Sequence, residues 1–214
     1  MKEMEILIWI ISIVFITHLL NLRYNFLKTV ITKSFIMILI IGLSLCANID
    51  KMFPLYGIFI SIALIFSLAG DIFLVVDGNK FFLHGLLSFV LAHLFYIISF
   101  LVFNTPIGII SVQFIVALIV ICLSAGIFYS FFYKKLGKMK IPVLIYLIII
   151  GIMASLSIRI SWLVFAGAIS FLVSDMELAL NKFYKPIPHK SIFNSIFYFP
   201  AQFIFALSIF LLFN

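Results

Sequence analysis

The sequence predicts an all-α fold: a polytopic membrane bundle of about eight transmembrane helices. Three observations predict it. Of the 214 residues, 66% are hydrophobic and 10% are charged, whereas soluble domains run at roughly 45–50% apolar and about 25% charged. The apolar residues gather in eight runs, most of them near the length of about 20 residues that a helix needs to cross a bilayer. These runs lack the polar–apolar alternation of outer-membrane barrel strands, which need only about 9–11 residues each. A chain with a mean hydropathy of +1.37 cannot cover its own surface in water. That excludes an ordinary soluble globule, a disordered chain and a nucleic-acid-binding domain.

The runs span approximately 5–21, 31–47, 53–76, 81–103, 107–133, 141–158, 161–180 and 192–213. The first follows Lys2 with no A-x-A-like cleavage site after it, so it reads as a retained helix and not a signal peptide. The second can start near Ile31 because Lys33 can snorkel to the interface. Pro54 suits the first turn of the third. Asp77-Gly78-Asn79-Lys80 and Asn104-Thr105-Pro106 carry turn chemistry on either side of the fourth. Arg159-Ile160 is a very short link between the sixth and seventh, whose combined length is twice one span. Phenylalanine and β-branched residues favour strands in water, but run length overrides that preference. Little chain remains for a separate soluble domain, so residues 1–214 read as a single integral membrane domain.

The net charge of +7 reads as membrane topology. Eleven of the 14 basic residues flank the connections after the first, third, fifth and seventh runs: Arg23, Lys28, Lys33, Lys80, Lys134, Lys135, Lys138, Lys140, Lys182, Lys185 and Lys190. Only Lys2, Lys51 and Arg159 fall on the opposite side. The positive-inside rule then places both termini outside the cytoplasm. Tyr129, Tyr133, Trp162 and Tyr184 near run ends fit interfacial anchors. Cys46 and Cys122 lie in apolar runs without CxxC spacing and read as small core residues.

Ionisable groups inside a membrane cost several kcal/mol in most estimates, which makes them candidates for function. Asp71 and Asp175 each lie about six residues, or some 9 Å, before the end of their runs, at matching depth on helices of the same direction. They are expected to face one cavity opening toward the cytoplasmic leaflet. Gly85, Phe89, His93 and Tyr96 share one helix face, with His93 near mid-membrane. Tyr198 and Gln202 share another, and a mid-bilayer glutamine must find polar partners. Ser67 and Ser174 are within reach of the acids or a ligand, although serines also pack membrane helices. Glu177 reads as solvated near the interface. His18, His84 and His189 read as surface groups. No HExxH or paired-histidine spacing supports a metal site, and no GxSxG elbow supports a serine hydrolase.

An ordered set of short pieces carries a family resemblance: Thr32-Lys33; Gly70-Asp71; Phe82, Gly85, Phe89, His93 and Tyr96; Pro142-Val143, Tyr146 and Met153; Gly167-Ala168, Phe171, Ser174-Asp175 and Phe183; Tyr198 with Ala201-Gln202. Together they resemble the YhhN-like family, which includes the animal lysoplasmalogenases, over about residues 30–208. Thr-Lys-Ser stands here where Thr-Lys-Pro is expected, which alters the helix entry more than the chemistry. The resemblance implies a membrane hydrolase that cleaves the vinyl ether of a lysoplasmalogen to a fatty aldehyde and a glycerophospho-alcohol. Asp71, Asp175 and His93 are then its catalytic residues. Lys33 meets the lipid phosphate, and Tyr96, Ser174, Tyr198 and Gln202 contact the substrate.

The chemistry suits such residues. Protonation of the β-carbon gives an oxocarbenium ion that water captures. This needs one protonated acid, one anion and a held water, and two buried carboxyls can divide those roles. No metal, nucleotide or flavin is required, so the expected cofactor set is empty. The expected partners are a lysophospholipid and the bilayer, with no nucleic acid and no identifiable protein partner. The expected location is a multi-pass membrane protein, in the inner membrane if the host is bacterial. The competing class is a lipid-binding protein or proton-coupled transporter using the same Asp and His residues as a relay. Transporters often show two related halves, and no such repeat is visible here.

Overall fold

A computed structural model describes residues 2–24, 27–77, 80–105, 111–185 and 190–213. Among the described residues the fold is all-helical: α1 (Lys2–Tyr24), α2 (Thr29–Asp50), α3 (Leu55–Asp77), α4 (Phe82–Val102), α5 (Val112–Phe132), α6 (Lys140–Ser157), α7 (Trp162–Phe183) and α8 (Lys190–Leu212), with a single 3-10 turn at Gly137–Met139. All eight long helices are apolar and long enough to cross a bilayer. The protein is a multi-pass integral membrane protein.

The expected runs and the observed helices agree in number and order, and differ at their ends. α2 starts at Thr29, and α7 continues through Asn181-Lys182 to Phe183. Hydropathy stops at the first polar residues, whereas a helix continues through them into the interface. Asp71 therefore lies six residues before the end of α3, as expected, but Asp175 lies eight before the end of α7. The fifth helix begins at Val112. Gly78, Asn79, Pro106 and the start expected at Ile107 lie outside the described residues. Arg159-Ile160 forms a turn that separates α6 from α7, and Ser161 caps α7 by accepting from Val164 N at 3.1 Å. A side-chain oxygen there satisfies one orphan amide of the first turn.

The chain divides into two compact units, Met1–Ser99 with Gln202–Asn214, and Phe100–Ala201. In the first, a polar clasp joins α2 to α3. Asn48 Nδ2 donates to Ser44 O, Gly57 O and Ser61 Oγ at 2.9, 3.1 and 2.8 Å. A Cβ at Gly57 would collide with the Asn48 amide oxygen, so only glycine lets α3 approach this closely. Tyr56 bonds Ser208 on α8 at 2.7 Å, and Ser99 on α4 donates to Tyr56 O at 2.7 Å. Small and hydroxyl residues bring helices together where lipid offers no hydrophobic drive.

In the second unit, Phe132, Leu136 and Val143 form a buried cluster with Leu180 and Phe183 packed against it. α5 buries only Ala117, Ile121 and Phe132 and turns most of its apolar surface outward. Lys135 lies over the Tyr184 ring and Lys140 over the Tyr133 ring, each at 4.0 Å. Trp162 at the start of α7 is also exposed. These are the arrangements of interfacial aromatic anchors. Cys46 and Cys122 are free and exposed, not core residues. In a bilayer an apolar side chain gains as much by facing lipid as by facing protein, so hydropathy cannot separate the two.

Candidate functional site

In the first unit the site is built on α2, α3, α4 and the second half of α8. Lys33, in the second turn of α2, does not snorkel outward. Its side chain is 11% exposed, and its ammonium stands 4.0 Å from Asp71 Oδ1 on α3. A charge in so apolar a setting is tolerated when an opposite charge accompanies it. Gly70 makes room beside Asp71: a Cβ there would lie 2.7 Å from the Phe89 ring of α4. A Cβ at Gly85 would likewise lie 2.8 Å from Leu74. The expected α4 face is thus the face packed on α3, with Phe89, His93 and Tyr96 all buried. Tyr96 donates its hydroxyl to Gln202 Oε1 at 2.5 Å, and the His93 ring centre is 6.4 Å from that of Tyr96. Gln202 is fully buried, and its Nε2 has no hydrogen-bond partner among the described residues. Leaving such a donor unmade costs about 1–3 kcal/mol, so this amide is suited to hold a polar ligand or water.

In the second unit Asp175 is half-buried on α7, and its Oδ2 accepts the hydroxyl of Tyr146 from α6. Tyr198 is buried edge-on against Phe171, with ring centres 5.3 Å apart. Ser174 donates to Phe171 O at 2.9 Å, while Asn194 Nδ2 donates to Ser174 O at 3.3 Å. It belongs to the seam between α7 and α8, which also contains the Ser170 bond to Phe197 O at 2.8 Å. The single cavity expected from the sequence draws on residues of both units and stays a proposal. Among the described residues, no three His, Cys, Asp or Glu side chains are grouped as metal ligands.

The model of the YhhN family matches residues 27–209. The chain belongs to the YhhN family. Over 161 residues this YhhN protein is 34% identical to lysoplasmalogenase TMEM86A of Homo sapiens and equally to that of Bos taurus, a match covering 70% of the chain. It spans 64% of the length of these curated relatives. No solved structure matches.

Two residues of this YhhN protein expected at the surface are buried. His18 is 1% and Glu177 4% exposed. His18 Nδ1 stands 2.8 Å from Thr32 Oγ1, so a partner on the next helix draws the ring inward. Glu177 lies three residues beyond Ser174 on α7, one helical turn further along the buried seam. His84 is exposed, as expected, and His189 lies outside the described residues. Tyr146 was visible as a tyrosine in the middle of an apolar run, but only the packing of α6 on α7 reveals that it holds Asp175.

Proposed function

We propose that this YhhN protein is a membrane-embedded hydrolase that cleaves the vinyl-ether bond of a lysoplasmalogen. The reading is carried by the 34% identity to proteins named lysoplasmalogenases over 161 residues. The residues fit the chemistry. A proton goes to the β-carbon of the vinyl ether, and the α-carbon becomes an oxocarbenium ion. Water adds there and loses a proton, and the resulting hemiacetal breaks its C–O bond to release the aldehyde and the glycerophospho-alcohol. One water is consumed, and the acid is restored.

In this scheme Asp71 and Asp175 are the acid and the anion. The ion pair with Lys33 supports the anionic role for Asp71, where it stabilises the cation and orients water. Asp175 is then the proton donor, with Tyr146 fixing its other oxygen. Gln202 Nε2 and Tyr96 are suited to hold the attacking water, and His93 lies beside Tyr96 on the same helix face. Lys33 meets the lipid phosphate. Tyr198 packs along the substrate, while Ser174 supports the α7–α8 seam. The substrate's phosphate enters from the cytoplasmic side, with both termini on the other side. In a bacterial host the protein resides in the inner membrane.

The test is to incubate purified protein with a lysoplasmalogen and with its saturated ether analogue, and to assay aldehyde. Aldehyde is expected from the first only, because the saturated ether cannot be protonated at carbon. Failure to release aldehyde from lysoplasmalogen by a folded preparation would overturn the proposal.

A further inference from the structure

Helix α1 lies entirely outside the residues 27–209 that define the family match. Its buried side chains among the described residues are Ile11, His18 and Asn21, one stripe of which two members are polar. Both reach the start of α2. His18 Nδ1 stands 2.8 Å and Asn21 Nδ2 3.4 Å from Thr32 Oγ1. Asn21 also grips the backbone of Leu27 on both sides, accepting from its N–H at 2.6 Å and donating to its carbonyl at 3.1 Å. The N-cap of α2, Lys28, supplies no side-chain cap. A helix start without its own cap leaves amides to be satisfied from outside, and here α1 fixes the approach to that start.

The residue after Thr32 is Lys33. Its ammonium pairs with Asp71. We propose that His18 and Asn21 are positioning residues for Lys33, so that α1 completes the phosphate-binding corner of the site. This rests on the phosphate role given to Lys33 above. Thr32 Oγ1 stands 3.2 Å from Thr29 O and can donate its single proton there. With its proton there, the hydroxyl accepts from His18 in the tautomer that carries a proton on Nδ1. The hydroxyl takes donors from α1 on one side and gives its proton to α2 on the other, which sets the rotation of the turn that carries Lys33. An arrangement that only tied α1 to the bundle would not need to act one residue away from the cation.

The test measures binding of two saturated ether analogues to the full chain, one with a glycerophospho headgroup and one with glycerol alone. The variants are Lys33→Gln, His18→Leu, His18→Asn, Thr32→Val and the His18→Leu/Lys33→Gln pair. His18→Leu and Thr32→Val are expected to weaken the phosphate-bearing analogue about tenfold, the loss of one well-placed hydrogen bond, and to leave the glycerol analogue within about twofold. His18→Asn, whose amide can stand in for Nδ1–H, should restore most of the loss. In the Lys33→Gln background His18→Leu should add nothing. Equal loss for both analogues, or additive losses in the pair, would make the contact a simple helix clamp and overturn the inference. If Lys33→Gln abolishes the preference for phosphate while His18→Leu and Thr32→Val leave it intact, the inference fails alone. If Lys33→Gln leaves that preference unchanged, the phosphate role of Lys33 fails and the inference with it.

Discussion

Asp71 and Asp175 are held by different partners, a lysine ammonium and a tyrosine hydroxyl. In the proposed scheme the lysine beside Asp71 suits it to the anionic role and leaves the proton to Asp175. Asp→Asn at either position keeps size and hydrogen-bonding capacity but removes the titrating group. Each variant is expected to insert and fold, yet to lose about 10²–10⁴-fold in kcat, the usual worth of general acid–base catalysis. Near-native turnover in either variant would remove the division of roles. Tyr146→Phe deletes only the hydroxyl that fixes Asp175. It should lower kcat by about tenfold, less than Asp175→Asn, with little change in KM. An equal loss in the two variants would promote Tyr146 from holding the acid to taking part in proton transfer. Tyr146 and Asp175 are 29 positions apart, and no spacing rule connects them. Each was visible alone, and their bond is a product of packing.

At the scale of elements, the α2–α3 connection carries local strain. Met52 and Phe53 sit at φ 60° and 54°, a region that costs an L-residue about 1–2 kcal/mol. The turn persists because Phe53 N donates to Asn48 O at 2.7 Å and Lys51 N to Ala47 O at 3.0 Å, satisfying the last carbonyls of α2. Pro54 immediately precedes α3, and its carbonyl accepts from Ile58 N at 3.0 Å. Met52 is 88% exposed, so its side chain contributes little packing. Met52→Gly should stabilise the protein by about 0.5–1 kcal/mol, the strain relieved less the added chain entropy of glycine. A melting temperature at or below wild type in detergent would contradict this. Gly70→Ala should act in the opposite direction. The new methyl meets the Phe89 ring at 2.7 Å, and overpacking of this kind costs about 1–3 kcal/mol. An unchanged melting temperature would show that α4 yields without cost.

For the whole molecule, the 11-to-3 division of basic residues predicts the orientation of an even number of spans. Reporter fusions after Lys138 and at Asn214 should report opposite sides of the membrane, with Lys138 in the cytoplasm. Two reporters on one side would remove this topology. The number, order and approximate ends of the helices were legible because crossing a bilayer requires local apolar length, a sum over neighbouring residues that needs no partner. So was Asp71, an acid deep within a span, whereas Glu177 near the end of its run reads as solvated and is buried. Apart from the α4 face marked by Gly85, His93 and Tyr96, which face of a helix meets protein was not legible. Lipid and protein interior are both apolar, so the pattern that marks a core face in water is erased here. Only tertiary packing turned Lys33 inward to Asp71, gave Tyr146 to Asp175, sent Cys46 and Cys122 outward, and buried His18 against Thr32.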